Sequence, residues 1–336
     1  MPTTSSPARS SASRFIWLAV AIVAAIVAWT VAWHMIAARI ETATPQTLSS
    51  IAGNNARAEC ANAIVRGYPF RFGLFCDRLT YRNQADGLSA DAGAFRSAAQ
   101  FYRPSHIVSE LDGPLIISSP RLSGSIDWQG LQMSTNATPN GLQRGSLDGH
   151  ELRLEMSDAA PGGGLSEQIN LTIGRLTAHI RQNGDDVDIA AYGDAIAGHL
   201  LGRFDAKSLT IETTLSNQPG LLDAPFVWPE GAYEVRLHKI ALALDEASSL
   251  ELAGPVSVAA DGLISAALQL TVRDAGQLAS VVTAYDAEAG KMISRFAPML
   301  GALDTVPGDD AITLPLTIRN GAVSMGMIPL GQLAPL

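Results

Sequence analysis

The chain has 336 residues, with 23 Lys and Arg against 32 Asp and Glu and a formal net charge of −9. A surface of that sign repels polyanions, which argues against nucleic acid and strongly anionic headgroups as partners. The 2 cysteines exclude a disulfide-dense scaffold, and the length leaves room for one large or two ordinary domains.

Residues 1–14 form a tail with Arg9 and Arg14 and no acidic residue. Residues 15–38, Phe15 to Ala38, are uncharged, with only Thr30 and His34 clearly polar. About 20 apolar residues cross a bilayer core as a helix, so this run reads as a transmembrane anchor. The alternative is a signal peptide, whose apolar core is usually ~7–15 residues long and ends at a small-residue cleavage site. This run is longer, and its distal end carries Trp29 and Trp33, side chains that favour the membrane interface. The two arginines hold the tail on the cytoplasmic side, so the rest is expected to be exported.

Residues 39–56 read as a helical stalk that Pro45 interrupts, with Thr44 as N-cap of its second part. Residues 57–336 form the exported domain. Its first landmark is the pair Cys60 and Cys76. After a turn at Gly67-Tyr68-Pro69, the residues Tyr68, Phe70, Phe72, Leu74 and Cys76 alternate with others, which puts Cys76 on the apolar face of a strand. If the preceding segment folds back beside it, Cys60 meets Cys76, and an oxidising compartment permits a disulfide. Two buried free thiols are the alternative. A metal is disfavoured for want of a nearby His.

From Cys60 onward alternation dominates. Leu152, Leu154 and Met156 alternate, as do Ile169, Leu171 and Ile173, followed out of phase by Leu176, Ala178 and Ile180. That parity change at Gly174-Arg175 predicts a bulge or turn. A second one separates Val235 and Leu237 from Ile240, Leu242 and Leu244. Ile264 to Val272 is the cleanest strand. Asn320-Gly321 between Leu314, Leu316, Ile318 and Val323, Met325, Met327 is a hairpin signal. A helical island begins at Asp274, with Leu278, Val281, Val282 and Tyr285 on one face, and a second segment spans Met292 to Leu303. The fold class is therefore mainly β, a curved antiparallel sheet or a sandwich or groove, with a few packed helices and one N-terminal transmembrane helix.

No chemistry-bearing motif stands out. The six histidines lack metal spacing, and His179 and His238 fall on polar strand faces. Asp185, Asp186 and Asp188 follow Asn183-Gly184 as a solvated turn, without the ligand series of a calcium loop. No phosphate loop, dinucleotide fingerprint or nucleophile elbow is present. The reading is a non-enzyme with no cofactor and no metal.

The segment from Cys60 through Gly67-Tyr68-Pro69-Phe70-Arg71 to Cys76, and the ending Leu314-Pro315-Leu316, Asn320-Gly321-Ala322-Val323 and Ile328-Pro329-Leu330-Gly331, resemble the bacterial family called domain of unknown function 2125. The resemblance covers about Ile40 to the C-terminus. It implies a cell-envelope protein of a Gram-negative bacterium, single-pass in the inner membrane with its bulk in the periplasm, and it carries over no catalytic residue. A looser architectural likeness is to AsmA-type envelope proteins, which join one span to an apolar β-groove, though their length and repeats are missing here. The expected function is to bind or guide a lipid acyl chain during envelope maintenance. Tyr68, Phe70, Phe72, Leu74, Leu268, Leu270, Leu316 and Met325 are candidate lining residues, each on the apolar side of an alternation. A phospholipid or other acyl lipid and an envelope protein are the expected partners. The alternative is an interaction or scaffold protein with a closed core.

Overall fold

The computed structural model describes residues 11–53, 55–138, 141–158, 168–199, 203–223, 231–274, 311–326 and 328–335. The helical signals of residues 275–303 lie outside them. The helix α1 (Ser11–Ala52) leads into a 20-stranded antiparallel sheet.

The sheet begins as a meander of long strands, each broken near its middle. β3 (Arg71–Cys76) continues as β4 (Arg78–Asn83), β5 (Leu88–Ala92) as β6 (Phe95–Gln100), β7 (Arg103–Leu111) as β8 (Leu115–Ser118), and β9 (Leu122–Asp127) as β10 (Gly130–Thr138). β11 (Gly141–Asp158) crosses the line of breaks in one piece. The halves pair separately, as β3–β6–β7–β10 and as β4–β5–β8–β9, and β11 bonds to both branches. β2 (Ile64–Arg66) ends the first branch against β3, and β1 (Ala56–Ala61) ends the second against β4. In the line of breaks sits Trp128, 9% exposed, whose indole donates to the Leu111 carbonyl at 2.8 Å.

Beyond β11 each strand pairs with its neighbours in sequence. β12 (Ile169–Asn183), β13 (Asp186–His199), β14 (Arg203–Ser216), β15 (Tyr233–Ala243), β16 (Ser249–Val258), β17 (Ile264–Arg273), β18 (Ala311–Arg319), β19 (Ala322–Met325) and β20 (Ile328–Gln332) come in order. The hairpin predicted at Asn320-Gly321 joins β18 to β19, and both residues have positive φ, 47° and 83°, as a two-residue primed turn requires.

The line of breaks continues as a crease. Glu151, Gly174, Ala195 and Lys207 lie opposite one another on successive strands but outside the regular pairing, while register is kept on either side. Glu151 and Ala195 have φ of 51° and 52°. One residue turned out of phase moves the alternation by one. The parity change at Gly174-Arg175 is thus a crease within β12, not a hairpin. It keeps Ile169, Leu171, Ile173, Leu176, Ala178 and Ile180 on one face. The second parity change coincides with register shifts at Glu212/Thr213 and Leu237/Ile240.

Two sequence expectations are corrected. Pro45 does not interrupt the helix, and Thr44 is not an N-cap: its hydroxyl donates to the Ile40 carbonyl at 2.7 Å within the helix. A proline inside a helix removes one backbone bond and crowds the preceding turn. Here Ile40 packs against the sheet, and the Glu41 carboxylate accepts the Val65 amide at 2.6 Å, holding the helix through the gap. Cys60 and Cys76 are bridged, Cα–Cα 5.2 Å, but not by neighbouring strands. Cys60 is in β1 and Cys76 in β3, so the bond ties the two branches together at the end away from β11.

Residues 13–28 of α1 are exposed, and most strand residues are half-buried rather than sealed.

Candidate functional site

Residues directly opposite in antiparallel strands share a face, so the register traces one surface through the sheet. Phe72, Ala99, Ile107, Thr135, Gly145, Ile180 and Ile189 lie opposite one another in turn. Further along, Ile211, Ile240, Leu252, Leu270 and Leu314 do the same. Ala191, opposite Ile211, is two residues from Ile189, so both rows belong to one face. The crease does not interrupt it, because a Cβ built on Gly149 would meet Leu152 at 3.1 Å and one on Gly193 would meet Ile196 at 3.4 Å, across the parity change. The result is a continuous apolar face from β3 to β18. Leu152, Leu171, Ile173, Leu176, Ile180, Ile211, Ile240, Leu252 and Leu270 on it are half-buried, neither sealed nor bare. It is closed in two places. Val187, Leu215, Leu221 and Leu222 form one buried cluster, and Ala266, Leu268 and Ile318 form another.

The structure divides the eight candidate lining residues into two groups. Leu268, Leu316 and Met325 are adjacent across β17, β18 and β19, with Leu270 two residues along. Leu268 is buried, and Leu270, Leu316 and Met325 are half-buried. Phe72 and Leu74 sit at the other end, under α1, where Trp33, Ala37 and Val65 form a buried cluster with them. The ends are about 48 Å apart along the sheet at ~4.8 Å per strand, so one short ligand does not touch both. Tyr68 and Phe70 are not strand residues, because β3 starts at Arg71. They lie in the turn before it, 45% and 66% exposed. A turn there satisfies the chain reversal between β2 and β3, which the alternation alone does not reveal.

At that turn α1 is fastened by polar bonds. The Trp29 indole donates to the Pro69 carbonyl at 3.1 Å, and the Trp33 indole to the Arg71 carbonyl at 3.2 Å. Thr30 and Tyr68 share a hydrogen bond of 2.7 Å between hydroxyls. Phe101 closes on Trp29 edge-on, centroids 5.0 Å apart, and Tyr102 comes next to it. The alternation pattern does not single out Phe101 and Tyr102. Their signal is an aromatic pair placed where a strand turns.

The opposite face is polar and holds a cleft of about 630 Å³ lined by Ser134, Arg144, His179, Tyr192, Glu212 and His238 among others. Its groups largely answer one another. Tyr192 donates to Glu212 at 2.8 Å, and that bond, with burial, pushes the phenol above its ordinary pKa. Burial works to raise the Asp188 carboxyl, but hydrogen bonds from Thr214, Arg181 and Asn183 outweigh it and hold the group below the usual range. Thr214 gives its one proton to Asp188 at 2.7 Å, so the 2.9 Å contact with His238 requires His238 Nε2–H as donor. Gly184 and Asp185 form the β12–β13 turn, while Asp186 opens β13 opposite Asn183 and accepts the Asn217 amide at 2.8 Å. Among the described residues no group of three or more His, Cys, Asp or Glu is placed to hold a metal ion.

One N-terminal helix long and apolar enough to cross a membrane, joined to a single antiparallel sheet, makes this a β-rich protein with one candidate membrane span among the described residues. The chain belongs to the family described as uncharacterized protein conserved in bacteria, DUF2125, whose model matches residues 33–334. Comparison with curated proteins and with solved structures gave no match.

Proposed function

We propose that this is a noncatalytic protein held in the bacterial inner membrane by α1, with its sheet in the periplasm, and that the apolar face carries a lipid acyl chain during envelope maintenance. The domain limits are a tail of residues 1–14, a span of 15–38, a stalk of 39–56 and a β-domain of 57–336. Span and stalk form one helix, and the distal span already packs on the domain. That packing favours a retained anchor over a cleaved signal: Trp33 is 4% exposed inside a cluster with Val65, and cleavage beyond it would strip the cluster.

The observation that carries the lipid reading is the continuous apolar face, half-exposed over β11–β17 outside its two buried clusters and continuous with the packing of α1. An acyl chain laid on it would remove apolar area from water at roughly 25 cal/mol per Å². The buried cluster around Leu268 favours the second reading, a scaffold with a closed core. Leu270→Asp separates them. On an open face water reaches the carboxylate, so the variant folds and co-purifies with less phospholipid in mild detergent than wild type. In a sealed core it buries an unpaired charge and unfolds the domain. Unfolding of the variant together with lipid-free wild type rejects the lipid reading.

A further inference from the structure

We infer that the rim formed by the β2–β3 and β6–β7 turns is a membrane-docking surface, seated in the headgroup region of the bilayer that α1 enters. This rests on reading α1 as a retained anchor.

The length of bare helix is the first constraint. Residues 13–28 of α1 are exposed all round, and from Trp29 one face of the helix packs on the domain through Trp29, Trp33, Ala37 and Ile40, while Val31, Met35 and Ile36 stay exposed on the other. The stretch from Phe15 to Ala28 gives about 21 Å of helix at ~1.5 Å per residue. The hydrocarbon core of a bilayer is about 30 Å thick. Arg14 marks one limit, since a charged head stays at the interface. The bilayer therefore reaches past Ala28, and any surface fastened to Trp29 and Trp33 is drawn to the membrane. The rim is that surface. Pro69 and Arg71 accept the two indoles, and the Phe101 amide donates to the Phe70 carbonyl at 3.1 Å, joining the two turns.

The rim has the composition this position demands. Phe70 and Tyr102 are 66% and 67% exposed, with Tyr68 and Phe101 beside them. In an aqueous setting such a cluster has no partner, whereas aromatic rings partition to the membrane interface. Each tip aromatic is followed by an arginine, Phe70 by Arg71 and Tyr102 by Arg103, and both arginines are exposed. Residues 62–76 and 98–109 contain no acidic residue in a chain of net charge −9. The positive ends are thus gathered where lipid phosphates lie, while the acidic remainder stays clear of them. Docking at a second point beside α1 fixes the tilt of the sheet on its tether and brings the Phe72 end of the apolar face to the membrane.

The test uses the full-length protein with its disulfide intact, in vesicles of phosphatidylethanolamine and phosphatidylglycerol. A polarity-sensitive fluorophore is placed at Tyr102→Cys, and in parallel at Phe70→Cys, Val23→Cys and Asp86→Cys. Lipids with a nitroxide near the headgroup or near the chain end serve as quenchers. Positions 102 and 70 are expected to be quenched by the shallow nitroxide, position 23 by the deep one, and position 86, on the β4–β5 turn beyond the far end of α1, by neither. Quenching at 23 without quenching at 102 or 70 overturns the docking and leaves the anchor standing. Equal quenching at 86 and 102 also overturns it. Loss of quenching at 23 removes the anchor, and the docking inference with it.

Discussion

Arg96 and Asp112 meet beside the line of breaks, with guanidinium nitrogens 2.8 and 2.5 Å from the carboxylate and Glu110 at 3.4 Å. The Arg96 bond holds the Asp112 carboxyl below the ordinary range, against an opposing push from burial. A carboxyl depressed in the folded state stabilises above its unfolded pKa, and that contribution is lost as pH falls through the folded value. The side chains are 40% and 47% exposed, so the pair is worth under about 1 kcal/mol. Asp112→Asn is expected to lower stability by that order at neutral pH, with the gap to wild type closing below about pH 4. Urea unfolding at several pH values measures it, and a gap that widens in acid rejects the assignment. At this scale the sequence was partly legible. A single pair of cysteines in a domain expected to be exported foretold a bridge, but not that the bridge would span two branches. Glu151 and Ala195 gave no local sign of a left-handed backbone, because neither residue type asks for one.

Among elements, α1 shows most clearly what sequence conveys and what packing adds. Its apolar run is plain from composition. That Trp29, Trp33 and Ala37 serve the domain is not, because indoles at the end of a span look the same whether they meet lipid or protein. Pro45 misled for a related reason: propensity ends a helix there, and tertiary contacts through Ile40 and Glu41 carry it on. Trp33→Ala should remove about 3–5 kcal/mol of packing from the cluster with Val65, Phe72 and Leu74. Trp17→Ala, at a position 73% exposed, should leave the domain unchanged. Limited proteolysis in detergent compares them. Equal resistance of both variants would show that α1 does not brace the sheet. Alternation marked β3, β11, β12, β15 and β17 to β19, but not the strands between Arg78 and Thr138, nor β13, β14 and β16; in β5, β6 and β9 small residues such as Ser, Ala and Gly dilute the apolar side. The crease was visible only as the parity change at Gly174-Arg175, because its alignment across strands depends on register, which a single segment does not contain.

For the whole molecule, the expected topology, from Arg9 and Arg14 ahead of the span, has the N-terminus inside and the C-terminus outside. A reporter active only in the periplasm, fused after Leu336, should be active, and a cytoplasmic reporter at the same place silent. The reverse result overturns the topology. The order of the strands has its own consequence for such a chain. Among the described residues no strand-to-strand ladder joins positions further apart in sequence than Ala266 and Ile318, although the isolated bridge between Gly141 and Asp223 reaches further, and from β11 onward every strand pairs with the one just before it. Loop closure therefore stays short at each step. A polypeptide whose exported part crosses a membrane beginning with the segment next to the anchor can add strands to a growing edge as they emerge, each finding its template already in place. The exception is the stretch between β17 and β18, where β17 must wait for residues 275–310 to pass before its second edge is covered. That interval is when the nascent sheet is most open to capture by another chain, and it is where an assisting factor would act to most effect.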